Sequence, residues 1–512
     1  MWSADPAWPP PKPQVHRPHR VAYLFAVVMP LVLIILVAAP LAVVSMLPRL
    51  RGASDATAPA PAPGTVTDGG AGLGDPYYPY AGNSGYDVTR YQITINWDPT
   101  TETLQGTTVI NAQATQTLAS FYFDLALPTD QVQVNGKPAT FEHQGFADVR
   151  VQPQQVIPAD STFTVAVAYS GKPGDIRQGK VQPWWTTGAE WSSAGEPESA
   201  AWWFPSNDHP SDTALMDTSI RVPAGMEAIS TGRLESADTG TENDFDTWHW
   251  VARQPMVTYA NFVSLGQFEL KQGVDQGLPY VYAVSEQLPA AERKQAFDVL
   301  MTSGDRVRTL ESMFGPYPFT EIGGVVPAHP LWFEGLETQT RPLYVARAIL
   351  DADFAPTLLN HELAHMWFGN NVSVRQWDDI FNSEAYASWA PWGATERTGG
   401  RSANEAMNAA YERRKNQPEF WRITMIDPSR EHLFDVVYTR GPMALQGLRN
   451  VIGDDAFFKL ARDWAQSPGS RSLEEWMVMA QSVTAVDLGP FFQAWIFAPT
   501  APARTPENGF DG

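Results

Sequence analysis

Residues 357–384 constrain this chain more than any other stretch. They read T-L-L-N-H-E-L-A-H-M-W-F-G-N-N-V-S-V-R-Q-W-D-D-I-F-N-S-E. On a helix, residues four apart share a face, so His361 and His365 can aim two imidazoles at one ion. Glu362 then lies close enough to hold a water beside it. A hydrolytic zinc needs three protein ligands and one open position. Glu384, with eighteen residues between it and His365, is the candidate third ligand. A chance H-E-x-x-H is expected roughly once per hundred sequences with this few histidines, and a Glu at one fixed position cuts that about twentyfold. The competing reading is a buried helix with two hydrogen-bonded histidines. Pro356 suits the first turn of the helix. Leu358, Leu359, Leu363, Met366 and Trp367 can supply its apolar face, and Gly369 suits its end.

The motif H-E-L-A-H-M-W-F-G-N followed by Glu384 resembles the aminopeptidase N family of zinc metallopeptidases. Phe314-Gly-Pro-Tyr-Pro-Phe319 is similar to the family's lead-in to the catalytic domain. Gly335-Leu336-Glu337-Thr338 stands where the family carries G-x-M-E-N. Tyr438-Thr439-Arg440-Gly441 is similar to its Y-x-K-G motif, with Arg for Lys. The likeness runs over roughly residues 80 to 500, and the joint order of motifs is specific. It implies an α+β chain: an N-terminal antiparallel β domain, then a thermolysin-like, mainly helical catalytic domain. The large helical domain and small β domain that often follow in the family are not expected here, which makes this a reduced, two-domain member.

The chain has 512 residues and no cysteine, so a metal site must use His and carboxylate. Five of the 35 Lys/Arg and one of the 56 acids fall in residues 1–51, so residues 52–512 carry −25. Such a body repels nucleic acid and anionic membranes, and draws in a cationic or amino-terminal group.

Residues 1–20 are Pro-rich and polar, and residues 21–47 are a nearly unbroken apolar run. About 20 apolar residues cross a bilayer, whereas a cleaved signal has about 7–15. The run therefore reads as a transmembrane anchor rather than a signal. Its flanking charges lean to a cytoplasmic tail at 1–20 and an extracytoplasmic catalytic body, so that the protein sits in the cell membrane as a single-pass chain. Residues 48–76 have the composition of an Ala/Pro-rich linker. From 77 to 268 the pattern is β: Tyr91, Ile93, Ile95 and Trp97 alternate with polar residues, as do Phe163, Val165, Val167 and Tyr169. Asn135-Gly136 reads as a hairpin turn. The loop Trp202-Trp203-Phe204-Pro205-Ser206-Asn207-Asp208-His209-Pro210 is similar to a signature of the family. Asp208 and His209 within it are taken as structural. From 269 to 500 the chain is mainly helical, with one long amphipathic stretch at 290–313, an edge strand at Val325-Val326, and helical patterns at 379–398, 403–415, 441–451, 455–465, 472–483 and 488–497. Residues 501–512 form a C-terminal tail.

The chemistry follows from the residue types. His361, His365 and Glu384 would hold one zinc ion with an open corner for water. Glu362 would be the general base, passing the proton on to the leaving amine. Tyr438 is either a core aromatic or, by the resemblance, the donor to the oxyanion. Glu337 is either a surface residue of a strand or the carboxylate that pairs with the substrate's free ammonium. Its motif departs from the family pattern: Gly335 falls one place late, and Thr338 replaces Asn. Asp378 or Asp379 caps the helix bearing Glu384, or Asp379 hydrogen-bonds a ligand histidine as a partner beyond the metal. Arg440 touches either substrate backbone or the acidic surface. The expected partners are peptides with a free N-terminus, with no nucleic acid. The alternatives are a zinc endopeptidase, a leukotriene hydrolase-like enzyme on the same site, and a non-catalytic scaffold.

Overall fold

The computed structural model describes residues 65–178, 182–240 and 244–511. The tail at 1–20, the apolar run at 21–47 and most of the linker lie outside them. No helix among the described residues is long and apolar enough to cross a membrane.

The first half is built on an eight-stranded sheet. Its strands are β1 (Tyr86–Asp98), β2 (Thr103–Ala114), β3 (Thr129–Val134), β4 (Lys137–Pro138), β5 (Thr162–Gly171), β6 (Ala214–Pro223), β7 (Arg233–Asp238) and β8 (Phe245–Met256). The order is β7-β8-β6-β1-β2-β5-β3-β4, antiparallel throughout except for the parallel β6/β1 pair. Tyr91, Ile93, Ile95 and Trp97 face inward, as alternation requires. Tyr86 and Val88 are buried too, on the opposite parity, because a bulge between Val88 and Arg90 resets the register. Asn135 and Gly136 take φ of 50° and 73° and join β3 to β4 in a two-residue turn.

A five-stranded sheet opens the second half. It comprises β9 (Phe268–Asp275), β10 (Leu278–Ser285), β11 (Ile322–Val326), β12 (Gly335–Leu336) and β13 (Leu343–Tyr344), in the order β9-β10-β11-β13-β12. Val325-Val326 is therefore an interior strand, not an edge. Every residue of β11 is buried, which fits a strand covered on both faces. One edge is β12, which leads directly into Glu337.

The amphipathic stretch at 290–313 is two helices, α1 (Ala290–Leu300) and α2 (Ser303–Phe314). The break falls where the Thr302 hydroxyl bonds the Val299 carbonyl, and Gly304 lets the Asp275 carboxylate press against the new first turn. Beyond them come α3 (Ala355–Ala364), α4 (Phe381–Arg397), α5 (Ala403–Arg414) and α6 (Val437–Ile452).

Buried polar groups join the halves. Arg341 is fully buried, and its guanidinium donates to the carbonyls of Ser230, Gly232 and Val281 while lying over the Trp250 ring. Burial lowers it to about 10, so it stays charged at neutral pH. Asp75 accepts the Trp377 N–H at 2.8 Å and faces His209 Nε2 at 3.2 Å. Asp208 accepts from the Ala201 N–H and the Thr258 hydroxyl. Asp208 and His209 are thus structural, as their loop suggested. His329, in the loop after β11, is buried, with Nε2 2.9 Å from the Ser192 hydroxyl.

Candidate active site

Helix α3 starts with Pro356 in its first turn and ends at Ala364, with His365 as its C-cap. Met366 and Trp367 therefore lie beyond the helix, in the core. Gly369 does not end it either. With φ of 112°, Gly369 closes the next turn through an N–H bond to the Val372 carbonyl. That turn has a purpose at the site. It brings the Phe368 carbonyl 2.9 Å from His365 Nδ1, with the Ser383 hydroxyl at 3.2 Å. An Nδ1–H donated to the carbonyl leaves the Nε2 lone pair free to coordinate.

Helix α4 brings Glu384 to the same point in its first turn. The preceding 3-10 turn, Trp377–Asp379, is held by a capping box in which Asp379 accepts the Gln376 N–H at 3.1 Å. Its other oxygen accepts the Leu473 N–H at 2.8 Å. Asp379 therefore closes the turn before the helix rather than capping the helix itself, whose N-cap is Ile380 without a side-chain bond. His365 Nδ1 has the Phe368 carbonyl and the Ser383 hydroxyl beside it.

His361 Nε2, His365 Nε2 and Glu384 Oε2 form a triangle with edges of 3.1, 3.4 and 3.5 Å. All three side chains are buried. Ligand atoms about 2.0–2.1 Å from zinc, on three corners of a tetrahedron, stand about 3.3–3.4 Å apart. The donor set therefore fits zinc, with a fourth corner open. Glu337, Glu362 and His365 make an overlapping trio, their ligand atoms within 4.8 Å of one another. The first set offers two nitrogens and so suits zinc better, leaving two carboxylates for other work.

The electrostatics point the same way. Burial raises Glu362 well above the ordinary carboxylate range, and Glu337 and Glu384 raise it further. Glu337 is raised by burial too, although His365 and the Tyr259 hydroxyl oppose the shift. Burial would lower His365, but Glu384, Glu337 and Glu362 push it up to about 10. Burial would raise Glu384, yet the two imidazoles hold it at about 2. Burial keeps His361 lowered despite Glu384 beside it. Carboxylates thus outnumber cations here, and a positive charge is demanded between them.

The remaining expected residues gather around this triangle. Tyr438 stands in the first turn of α6, which begins a turn earlier than its pattern indicated. Its hydroxyl lies 3.3 Å from Glu384 Oε1. Glu337 follows the edge strand and is buried, and its main-chain carbonyl accepts from Asn370 Nδ2 at 2.8 Å. Arg440 reaches neither a substrate path nor the surface. It is fully buried, and its guanidinium satisfies the carbonyls of Trp421, Ile423, Trp495 and Ala498.

Three groups escaped the sequence reading. Glu196 from the β domain is raised well above the usual range by burial, then by Glu337, Glu384 and Glu362. Tyr259, also from the β domain, hydrogen-bonds Glu337. Ser383 reaches His365. Nothing in their spacing marks them, since each arrives from a different element.

The two-layer plan of β domain and helical domain, with two imidazoles and a carboxylate at the junction, defines a metallopeptidase fold. The chain belongs to peptidase family M1: residues 88–260 match the Peptidase M1 N-terminal domain and residues 343–495 the Peptidase family M1 domain. The Glu337 segment falls between the two matched spans. Aminopeptidase N of Streptomyces lividans is 23% identical over 440 residues, covering 80% of this chain and 50% of that protein. Leucyl aminopeptidase of Saccharolobus solfataricus is 22% identical over 326 residues, covering 58% and 40%. The chain thus spans half or less of these curated relatives. An M1 zinc metallopeptidase of Deinococcus radiodurans, solved as a mutant bound to a Tyr-Ser-Ala substrate, shares the fold with a TM-score of 0.74 at 24% identity, covering 84% of this chain and 99% of that one. A two-domain M1 zinc metallopeptidase mutant bound to L-arginine gives 0.74, covering 85% and 100%.

Purified protein is expected to contain one zinc per chain. Glu384→Gln, which removes the anionic ligand with little change of shape, should lose most of that metal. Full stoichiometry in the variant by elemental analysis would remove Glu384 from the ligand set.

Proposed function

We propose that this protein is a zinc-dependent aminopeptidase that hydrolyses the first peptide bond of peptides with a free N-terminus. The observation that carries this reading is the buried Glu337 carboxylate, within 4.8 Å of the Glu362 and His365 ligand atoms, with the Glu196 carboxylate of the β domain near it. They supply negative charge where a peptide's ammonium would stop. A charge-assisted bond there sets the reach of the chain, so the bond presented for cleavage is the first one.

When bound, zinc polarises the scissile carbonyl and lowers the pKa of a water to about 7. Glu362, on the helix between the two histidines, takes that water's proton and delivers it to the leaving amine. The Tyr438 hydroxyl donates to the oxygen on which charge develops. Glu337 and Glu196 hold the ammonium, and Tyr259 fixes the Glu337 carboxylate.

The test is a pair of peptides differing only in N-terminal acetylation. The free peptide is expected to be cleaved at its first bond and the acetylated one to resist, while Glu337→Ala should raise KM for the free peptide. Equal hydrolysis of both peptides would make the protein an endopeptidase.

A glycine beside the base offers a sharper check. A Cβ on Gly335 would overlap the Glu362 carboxylate, although the backbone there is in an ordinary conformation. Gly335→Ala is expected to leave zinc content and melting temperature near those of the parent, because the end of a flexible side chain can give way. Turnover should fall at least about tenfold, because the base is displaced by a fraction of an ångström or more. Unchanged kcat would show that the position of Glu362 does not matter.

We also place this body outside a membrane, tethered by residues 21–47 through the part of the linker that precedes Val66, since the strand Val66–Asp68 and the buried Asp75 already belong to the folded body. Support comes from the length of the apolar run and its flanking charges. The full chain should stay with membranes through an alkaline carbonate wash and leave with detergent; release by carbonate alone would end the anchor reading.

A further inference from the structure

The cleft that reaches His361 and Tyr438 has a volume of about 1280 Å³. That exceeds the roughly 300–1,000 Å³ that encloses a drug-sized ligand, so it has room for more than one residue of a peptide. Thr357 and His361 of α3 line one wall, and Ser388 and Trp392 of α4 another. The C-terminal turn of α5 adds Arg413 and Arg414 to the same cleft.

The charges in this cleft are not equally committed. Arg347 bonds Glu334 at 2.7 Å, and one oxygen of Asp351 takes the N–H groups of Asp353 and Phe354. Next to α5's last turn, Lys415 and Arg504 both pair with Glu412. Among the described residues, neither Arg413 nor Arg414 forms an ion pair. Arg414 donates one bond, to Gln417 Oε1 at 2.8 Å, and rests on the Phe420 ring. Arg413 is exposed. In a body carrying −25, two guanidiniums without a carboxylate in a substrate cleft are out of balance with their surroundings.

We propose that Arg413 and Arg414 form a subsite for the substrate's terminal carboxylate, so that the preferred substrates are short peptides with both ends free. The inference rests on the aminopeptidase reading above. It matches a zwitterion: Glu337, close to Glu362 and His365, takes the ammonium, and the guanidiniums, in the cleft that reaches His361 and Tyr438, take the carboxylate. A guanidinium meets a carboxylate with two parallel N–H bonds, which a terminal amide cannot match in charge. An acidic protein would otherwise repel the anionic end of its own substrate.

The test uses the whole chain with zinc bound. Peptides with leucine followed by one to five alanines are each supplied as free acid and as carboxamide, and kcat/KM is measured for both. The wild type is expected to favour the acid by about tenfold at one or two chain lengths, the size of one charge-assisted contact. In Arg413→Gln/Arg414→Gln, the acid-to-amide ratio at those lengths should fall to about one. A wild-type ratio near one at every length would overturn the proposal, as would a ratio that persists in the variant. The wild-type ratio decides even if the variant folds poorly. Failure of the parent reading looks different: the wild type would cleave neither the carboxamides nor aminoacyl anilides, whereas cleavage of these with a ratio near one would count against the arginine subsite alone.

Discussion

A crowd of buried carboxylates around two imidazoles governs this structure. Glu337, Glu362 and Glu384 are buried within reach of His361 and His365, with Glu196 facing them from the β domain. Charges of one sign are not left together in a low-dielectric interior without a counterion. With protein groups alone, the balance falls on His365, whose pKa rises to about 10. A divalent cation in the Nε2–Nε2–Oε2 triangle would take over that role and return the histidine to its neutral, coordinating form. The same surplus then serves a second purpose, because the carboxylates not used as ligands remain to handle a proton and an ammonium.

Holding such a cluster requires a rigid frame, and the frame is made by both domains. Arg341 joins β10 to the β domain through three main-chain carbonyls, four residues after Glu337. Asp75 holds the turn that starts the Glu384 helix, and Asp379 continues that hold through its own capping bonds. The Gln339 N–H reaches the Ala260 carbonyl, next to Tyr259. The β domain therefore has more than a covering role: through Tyr259 and Glu196 it supplies side chains to the site.

The parts of the site legible in the sequence were those in which spacing carries geometry. Four residues on a helix fix His361 relative to His365, and period-two alternation fixes the inward faces of β1 and β5. These readings depend only on local periodicity. Where they slipped, a nonlocal partner decided the outcome. Val325-Val326 lies in the middle of its sheet because β13 comes back to cover it. The stretch at 290–313 breaks because Asp275, from a hairpin earlier in the chain, packs against Gly304. Arg440 looked like a cleft residue, but four carbonyls from two other segments claim its guanidinium.

The sequence by itself determined the donor set, the helix that carries two of its members, the β-then-helical order of the chain and the family resemblance. A repeat distance along one element encodes the pair of histidines and the β-then-helical order, whereas Glu384, on another helix, was marked by its motif spacing alone. Only the tertiary structure decided which oxygen and nitrogen atoms converge, that Ser383 and the Phe368 carbonyl orient His365, and that Glu196 and Tyr259 cross from the other domain. Those contacts join residues far apart in sequence, and no local periodicity records how far apart packing will leave them.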